Sequence, residues 1–140
     1  MSNRIVICDI DGTVAIHEGR RDHFEWALVA NDLYNEPICD LVEMIMQSGV
    51  LVIFVSGREE TCRDSTLDWL TNRWVGVEHE HLFMRAEGDY RADTIVKREI
   101  YERDIAPRFD VQFVIDDRDS VVEMWRAIGL TCLQVAKGDF

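Results

Sequence analysis

Short apolar runs alternate with longer segments of helical periodicity along most of this sequence. Five runs have the composition of strands that are mostly buried on both faces: residues 5–8, 51–55, 82–84, 113–115 and 130–135. The segments between them predict helices from Pro37 to just before Gly49 and near 59–74, 92–105 and 119–128. Strands that alternate with helices pair in parallel through right-handed crossovers. The sequence therefore predicts an α/β fold, a Rossmann-like three-layer sandwich around an open parallel sheet.

The length and composition are those of one globular domain. A chain of 140 residues buries enough surface for one full hydrophobic core, and no internal repeat or Ser/Gly linker divides it. Hydrophobic residues make up 47% and charged residues 30%, which excludes a disordered or collagen-like chain. We expect a single domain over residues 1–140.

The charge balance restricts the partners of the chain. Asp and Glu number 27 against 15 Lys and Arg, and the net charge of -12 argues against coating nucleic acid or binding anionic membranes. Lysine occurs only at positions 97 and 137, so the other basic residues are arginines, which suit bidentate phosphate recognition. A local phosphate site is therefore compatible with the global acidity.

Cysteine spacing and hydropathy indicate the compartment. The four cysteines show no CxxC spacing, and Cys8 and Cys132 lie in apolar runs, which favours reduced thiols. The N-terminal residues show no signal-peptide pattern, and no apolar span reaches the length of a membrane helix. We expect a cytoplasmic protein with no membrane partner.

Carboxylates follow two of the predicted strands directly. Asp9 and Asp11 come after the first strand, and Asp116 and Asp117 after the fourth. In open parallel sheets ligands bind at the carboxyl ends of the strands, so these side chains are expected at one edge. Two carboxylates about 4 Å apart repel by about 4 kcal/mol at an effective dielectric of 20, so such a cluster requires a cation. An all-oxygen ligand set favours Mg²⁺ over zinc.

The same edge carries the groups for phosphoryl transfer. Side chains two apart on extended backbone point the same way, so Asp9 and Asp11 can face one reactant. One aspartate attacks phosphorus, and its neighbour protonates the leaving alkoxide and then deprotonates water. A lone Asp-x-Asp-Gly is more often an ordinary turn, but here Ser56, Lys97 and a second aspartate pair accompany it. The combination predicts a phosphomonoester hydrolase.

Four segments resemble, in their order along the chain, the four signatures of the haloacid dehalogenase superfamily of aspartate-nucleophile phosphatases. They are residues 5–13, 51–56, 97 and 113–117. A narrower resemblance, to the 3′-phosphatase domain of bacteriophage polynucleotide kinase/phosphatase, rests on residues 19–20, 55–59, 84–85, 88–89, 91, 93, 95–97, 110–118, 121–126 and 138–140. The resemblance implies a Rossmannoid three-layer sandwich, a five-stranded parallel sheet of order 3-2-1-4-5 and a minimal cap.

The resemblance also implies a role for each matching residue. Asp9 would be the nucleophile and Asp11 the general acid/base, with Mg²⁺ held by Asp9, Asp116, Asp117 and the backbone carbonyl of Asp11. The remaining positions would bind the phosphate or the substrate end. They are Thr13, Ser56, Gly57 and Lys97 at the phosphate, Arg20, Arg58, Arg85 and Arg118 toward the substrate, and Asp93 positioning one of these groups.

The implied substrates are 3′-phosphate ends of DNA and RNA and 2′,3′-cyclic phosphate ends. Segments 14–36 and 59–92 leave little to roof the site, and an open cleft admits a strand end. The chain contains no G-x-x-x-x-G-K-[ST] motif, so kinase activity is not expected and a separate polynucleotide kinase or ligase is a candidate partner. The alternatives are a small-molecule phosphatase or mononucleotidase with the same chemistry, and a silent fold that binds nucleic-acid ends.

The four tryptophans allow two interpretations, a structural one and a role in base stacking. Trp26, Trp69, Trp74 and Trp125 are most simply core anchors or partly exposed helix residues, but one near the cleft would be able to stack a base.

Overall fold

A computed structural model of the protein describes residues 3–16 and 32–140. Helices and strands alternate from the first helix onward, and the order along the chain is β1 (Arg4–Cys8), β2 (Ala15–Ile16), β3 (Leu33–Tyr34), α1 (Glu36–Gln47), β4 (Leu51–Glu59), α2 (Arg63–Arg73), β5 (Leu82–Arg85), α3 (Asp93–Ile100), β6 (Asp110–Asp116), α4 (Asp119–Ala127) and β7 (Cys132–Gln134). A 3₁₀ turn (Glu60–Cys62) precedes α2, and a π-helical turn (Tyr101–Ile105) continues α3.

The main sheet has five parallel strands in the order β5-β4-β1-β6-β7. Counted along the chain, these strands have the predicted order 3-2-1-4-5, so the α/β class and the topology are confirmed. Strand β1 lies at the centre between β4 and β6. Because strand order reverses around β1, the carboxyl ends of β1, β4 and β6 form the expected ligand-binding crevice.

Helices cover both faces of the sheet, as a three-layer sandwich requires. Val6 and Cys8 of β1 face one core with α1 and α2, and Ile5 and Ile7 face the other with α3 and α4. This alternation follows from the period of two along a strand. Both faces of β1 are buried, which explains why its sequence is a continuous apolar run.

Three details differ from the sequence expectations. Strands β2 and β3 pair as a small antiparallel sheet that the apolar pattern did not predict, because each has only two residues. Strand β7 is an edge strand with Leu133 and Gln134 exposed, so it is not buried on both faces. The helix expected from residue 59 begins later, because Glu59 still belongs to β4.

The segment 59–92 adds no further layer over the sheet. Its regular elements are the turn before α2, α2 itself, a 3₁₀ turn (His79–His81) and β5. This agrees with a minimal cap on that side, while most of segment 14–36 lies outside the described residues. Among the described residues, no helix is both long and apolar enough to span a bilayer. The four cysteines are buried thiols.

Candidate active site

The chain turns sharply where β1 ends. The Asp9 amide donates to the Ile115 carbonyl at 2.9 Å, which extends the pairing with β6 by one residue. The carbonyl of Ile10 then accepts three successive amides and closes a tight turn. Gly12 has a φ of +81°, and a Cβ there would lie 2.1 Å from an Asp117 oxygen. Only glycine fits this position, because both the backbone conformation and the Asp117 carboxylate exclude a side chain.

Three aspartates form what we call the carboxylate cluster: Asp9, Asp116 and Asp117. One oxygen from each lies within 4.8 Å of the others, and all three side chains are buried. Lys97 from α3 enters the cluster, with its Nζ 2.7 Å from Asp9 Oδ1 and 3.1 Å from Asp116 Oδ2. The Thr13 hydroxyl lies 2.9 Å from Asp9 Oδ2 and 3.3 Å from Asp117 Oδ1. Four predicted site residues therefore meet around Asp9.

The cluster carries more negative charge than Lys97 can neutralise. One ammonium faces three carboxylates. Burial, followed by the charge of Asp116, raises the pKa of Asp9 well above its ordinary value, and burial also raises the pKa of Asp117. For Lys97, burial acts to lower the pKa, but the charges of Asp116 and Asp9 outweigh it and raise the pKa. Three ionised carboxylates at this site need a further cation.

The residues of the cluster fit a divalent metal ion. Their donor atoms are all carboxylate oxygens, which suit a hard cation. A divalent ion would also balance the two negative charges that Lys97 leaves. Asp116 is oriented by its neighbours, because its Oδ1 accepts the Asp117 amide at 2.8 Å and its Oδ2 accepts Trp125 Nε1 at 3.2 Å.

Asp11 is not one of the three clustered carboxylates, and its side chain pairs with Arg58. Arg58 donates from Nε to Asp11 Oδ2 at 2.9 Å and from Nη2 to Oδ1 at 2.8 Å. The same Nη2 lies 2.8 Å from Asp32 Oδ2, and Nη1 donates to the Thr66 hydroxyl at 3.1 Å. The Arg58 side chain is 0% exposed. Arg58 was expected to contact the substrate, but here it holds Asp11 from inside the protein.

Ser56 and Gly57 lie at the carboxyl end of β4. Ser56 is buried, and its hydroxyl accepts the Arg58 amide at 3.1 Å. A Cβ on Gly57 would lie 2.7 Å from Asp93 Oδ1, so glycine lets the Asp93 carboxylate approach the backbone. This contact joins the β4 end to the first turn of α3.

Arg85 and Arg118 meet at Asp93. Arg85 donates to Asp93 Oδ1 through Nη2 and to the Gly57 carbonyl through Nε at 2.8 Å. Arg118 donates to Asp93 Oδ2 at 2.9 Å. Both arginines therefore share one carboxylate partner, Asp93, and the role of Asp93 as a positioning residue stays a prediction. Arg20, the remaining predicted arginine, lies outside the described residues.

Three residues that support the site were given no site role from the sequence. Asp32 shares Arg58 with Asp11, Trp125 donates to Asp116, and Gly138 packs so closely that a Cβ would lie 2.2 Å from the Asp117 carbonyl. None of them belongs to a catalytic motif, and each contacts its partner only through the fold. The described tryptophans Trp69, Trp74 and Trp125 are buried core residues, so none of these three is available to stack a base.

Solved structures share this fold. A chain of the Pnkp1/Rnl/Hen1 RNA repair complex superimposes with a TM-score of 0.92 at 38% identity, covering 99% of this chain and 44% of that one. A second structure of the Pnkp1/Rnl/Hen1 complex gives a TM-score of 0.91, also at 38% identity, over 99% of this chain and 48% of its own. The class C acid phosphatase of Bacillus anthracis matches with a TM-score of 0.67 at 15% identity, over 99% of this chain and 68% of that chain, which is a likeness of fold alone.

The fold and the carboxylate cluster, with these matches, define a phosphomonoester hydrolase of the haloacid dehalogenase type. The model of the polynucleotide kinase PNKP phosphatase domain matches residues 3–140, and the chain belongs to that family. A protein of Autographa californica nuclear polyhedrosis virus, described as a bifunctional polynucleotide kinase/RNA ligase, is 31% identical over 124 residues, covering 88% of this chain and 18% of the viral protein. The chain thus spans under a fifth of that relative and under half of the repair-complex chains.

Proposed function

We propose that this protein is a Mg²⁺-dependent polynucleotide 3′-phosphatase that removes phosphate from the ends of DNA or RNA, 2′,3′-cyclic phosphate ends included. The observation that carries the proposal is the buried carboxylate cluster with Lys97, found in a chain of the PNKP phosphatase family. We treat residues 1–140 as one phosphatase domain. The relatives named above support a nucleic-acid end as the substrate.

Asp9 and Asp11 carry the two chemical steps in this proposal. A carboxylate oxygen of Asp9 bonds to phosphorus while the bond from phosphorus to the 3′-oxygen breaks, and Asp11 gives its proton to that oxygen. Water then attacks the aspartyl-phosphate, Asp11 takes the water proton, and inorganic phosphate leaves as Asp9 is regenerated. Arg58 contacts both oxygens of Asp11, so proton transfer to the leaving group requires one of them to be released.

The other site residues stabilise charge. Mg²⁺, held by Asp9, Asp116 and Asp117, would offset their repulsion and attract the phosphate oxygens. Lys97 contributes a fixed positive charge beside Asp9 as charge moves onto the phosphoryl oxygens. Ser56 and Thr13 offer hydroxyls at the carboxyl ends of β4 and β1. We assign the phosphate to the space that these groups surround.

A small-molecule phosphatase is the second candidate, and one observation favours it. Arg58, Arg85 and Arg118 are already paired with carboxylates, and the chain has a net charge of -12. Little positive charge at the described arginines is therefore left for the backbone phosphates of a strand. A mononucleotide, which needs only the phosphate site, is compatible with the same chemistry.

The experiment that separates the candidates compares three substrates. The wild-type enzyme with Mg²⁺ is given a 3′-phosphorylated oligonucleotide, its 5′-phosphorylated isomer and free nucleoside monophosphates, and phosphate release is measured. The proposal expects turnover of the 3′-phosphorylated strand far above the other two. Equal or better turnover of the monophosphates would overturn it in favour of the small-molecule phosphatase.

A matched pair of variants tests the nucleophile. Asp9→Asn keeps the shape of the side chain but removes the attacking oxygen, so turnover should be abolished while circular dichroism stays native. Asp68→Asn makes the same chemical change on the exposed face of α2 and should keep wild-type turnover. Activity in Asp9→Asn would contradict covalent catalysis at this position.

End repair also requires chemistry beyond phosphate removal, and residues 1–140 contain no G-x-x-x-x-G-K-[ST] kinase motif. The relatives belong to a Pnkp1/Rnl/Hen1 RNA repair complex and to a polynucleotide kinase/RNA ligase. We propose a polynucleotide kinase or ligase as the partner of this chain. Joining of the dephosphorylated end by an added ligase would measure that coupling.

A further inference from the structure

Tyr90 is an exposed aromatic side chain on the loop between β5 and α3. The side chain is 88% exposed, and among the described residues it makes no side-chain hydrogen bond or ring contact. The loop follows the carboxyl end of β5, so it lies at the edge of the sheet that carries the active site. Exposed aromatic residues are common on protein surfaces, but the loop that carries Tyr90 is held by hydrogen bonds from a buried arginine.

Arg85 fixes the backbone on both sides of Tyr90. Its Nη1 donates to the Asp89 carbonyl at 3.0 Å and to the Arg91 carbonyl at 2.5 Å. The same guanidinium donates to the Gly57 carbonyl at 2.8 Å, and Gly57 lies between Ser56 and Arg58. Arg85 is 9% exposed, so the anchor is inside the protein. One buried side chain therefore ties the backbone around Tyr90 to the β4 end of the active site.

A second set of contacts fixes the outer side of the same loop. Asp89 Oδ1 accepts the Arg91 amide at 3.1 Å and Arg91 Nε at 3.0 Å, and these hydrogen bonds lower the pKa of Asp89 to about 2. Arg91 also pairs with Glu99 of α3 at 2.9 Å. Gly88, with a φ of +78°, allows the turn that precedes them. The loop is thus held from two sides while the Tyr90 ring is exposed.

The described arginines around this loop leave little unpaired positive charge for the substrate strand. The described arginines nearest the site each face a carboxylate of the protein: Arg58, Arg85, Arg91 and Arg118. Affinity for a polynucleotide must then come partly from contacts that need no positive charge. Base stacking on an aromatic ring is such a contact and tolerates any base. The buried tryptophans Trp69, Trp74 and Trp125 do not offer one.

We infer that Tyr90 is a stacking platform for a base at the 3′ end of the substrate, the terminal or the penultimate one. The inference rests on the proposed function, because it requires a polynucleotide in the site. Such a contact would distinguish a strand end from a small phosphate ester. Arg85 connects the backbone on both sides of Tyr90 to the Gly57 carbonyl near the β4 end, and the Tyr90 ring is exposed. The position is outside every motif that the chemistry uses.

The test combines variants of Tyr90 with a substrate that lacks the base. Wild type, Tyr90→Ala and Tyr90→Phe are assayed on a 3′-phosphorylated oligonucleotide and on the same strand with abasic residues at its last two positions. Tyr90→Ala should lower kcat/KM on the base-bearing strand about 10-fold, mainly through KM, which is in the range that base–aromatic stacking supplies. Tyr90→Phe should stay near wild type. On the abasic strand all three should be equal.

A control variant and a binding measurement complete the design. Val75→Ala removes an exposed apolar side chain just beyond the C-terminus of α2 and should behave as wild type on both strands. With Asp9→Asn as the background, a 2-aminopurine base at the 3′ end should lose fluorescence on binding, and the additional Tyr90→Ala change should abolish that quenching.

The outcomes separate this inference from the proposed function. If wild type dephosphorylates the oligonucleotide and Tyr90→Ala does so equally well, the stacking contact is refuted and the function stands. An equal loss on the abasic strand also refutes stacking, because the effect would not depend on a base. If wild type does not act on the oligonucleotide but hydrolyses monophosphates, the proposed function and the inference both fail.

Discussion

Replacing Asp32 with Asn tests the buried network that holds Asp11. The Asp32 side chain is 1% exposed and the Arg58 side chain 0%, with 2.8 Å between Oδ2 and Nη2. Removing one partner of a fully buried ion pair typically costs about 3–5 kcal/mol, because a desolvated charge loses its counterion. Arg58 keeps Asp11 as a second carboxylate, so we expect the lower end of that range, about 3 kcal/mol.

Urea unfolding measures this cost. With a denaturant slope of about 2 kcal/mol/M, a loss of about 3 kcal/mol moves the midpoint down by about 1.5 M. Asp40→Asn is the matched control, because Asp40 is 62% exposed and lies 3.0 Å from Arg73 on the surface, where a pair contributes less than about 1 kcal/mol. An Asp32→Asn variant within about 0.5 kcal/mol of wild type would refute the reasoning.

The same variant has a catalytic consequence that stability alone does not predict. At a temperature where it remains folded, Asp32→Asn should turn over more slowly than Asp40→Asn, because Arg58 loses one of the contacts that set its position against Asp11. Equal turnover of the two folded variants would show that Arg58 orients Asp11 without help from Asp32.

The site and the core give four more expectations. Adding Mg²⁺ to chelator-treated protein should restore turnover and raise the thermal unfolding midpoint, because a cation relieves repulsion in the carboxylate cluster; an unchanged midpoint would count against a metal there. Arg58→Ala should slow an oligonucleotide and a small aryl phosphate alike, since Arg58 contacts Asp11 inside the protein, and a loss confined to oligonucleotides would place it on the strand. Burial raises the pKa of Cys39 and Cys132 from 9.0 to about 12, so both thiols should resist alkylation in the folded protein at neutral pH. Between pH 9.0 and about pH 12 these thiols are ionised in the unfolded chain but still protonated in the folded protein. The free energy of unfolding should therefore fall as the pH rises through this range, and a rise would contradict the raised pKa of the two thiols.

Local pattern was sufficient to predict most of the fold and the centre of the site. A run such as 51–55 is apolar at every position because both faces of β4 are covered, and the stripe behind Pro37 marks α1. Aspartates directly after β1 and β6 must meet at one edge, since parallel neighbouring strands end on the same side. The shared position of Asp9, Asp116 and Asp117 follows from that rule, and in the structure their carboxylate oxygens lie within 4.8 Å of one another.

The two-residue strands and the end of β4 were not predictable in the same way. Two residues are too few to show the alternation of a strand, which is the case for Ala15–Ile16 and Leu33–Tyr34. The pairing also joins positions that are distant along the chain, so no local pattern predicts it. Glu59 continues β4 through an irregular pairing with Arg85, which no local preference of Glu indicates.

The sequence by itself predicted which carboxylates meet at one edge of the sheet, because strand periodicity and the order of the motifs are encoded within short stretches of chain. The tertiary structure alone decided which groups those residues contact. The family resemblance implied that Arg58 binds the substrate, yet the fold brings Asp32, 26 positions away, within 2.8 Å and buries the pair. Such pairing depends on distances between separate elements, and these distances exist only once the helices have packed on the sheet.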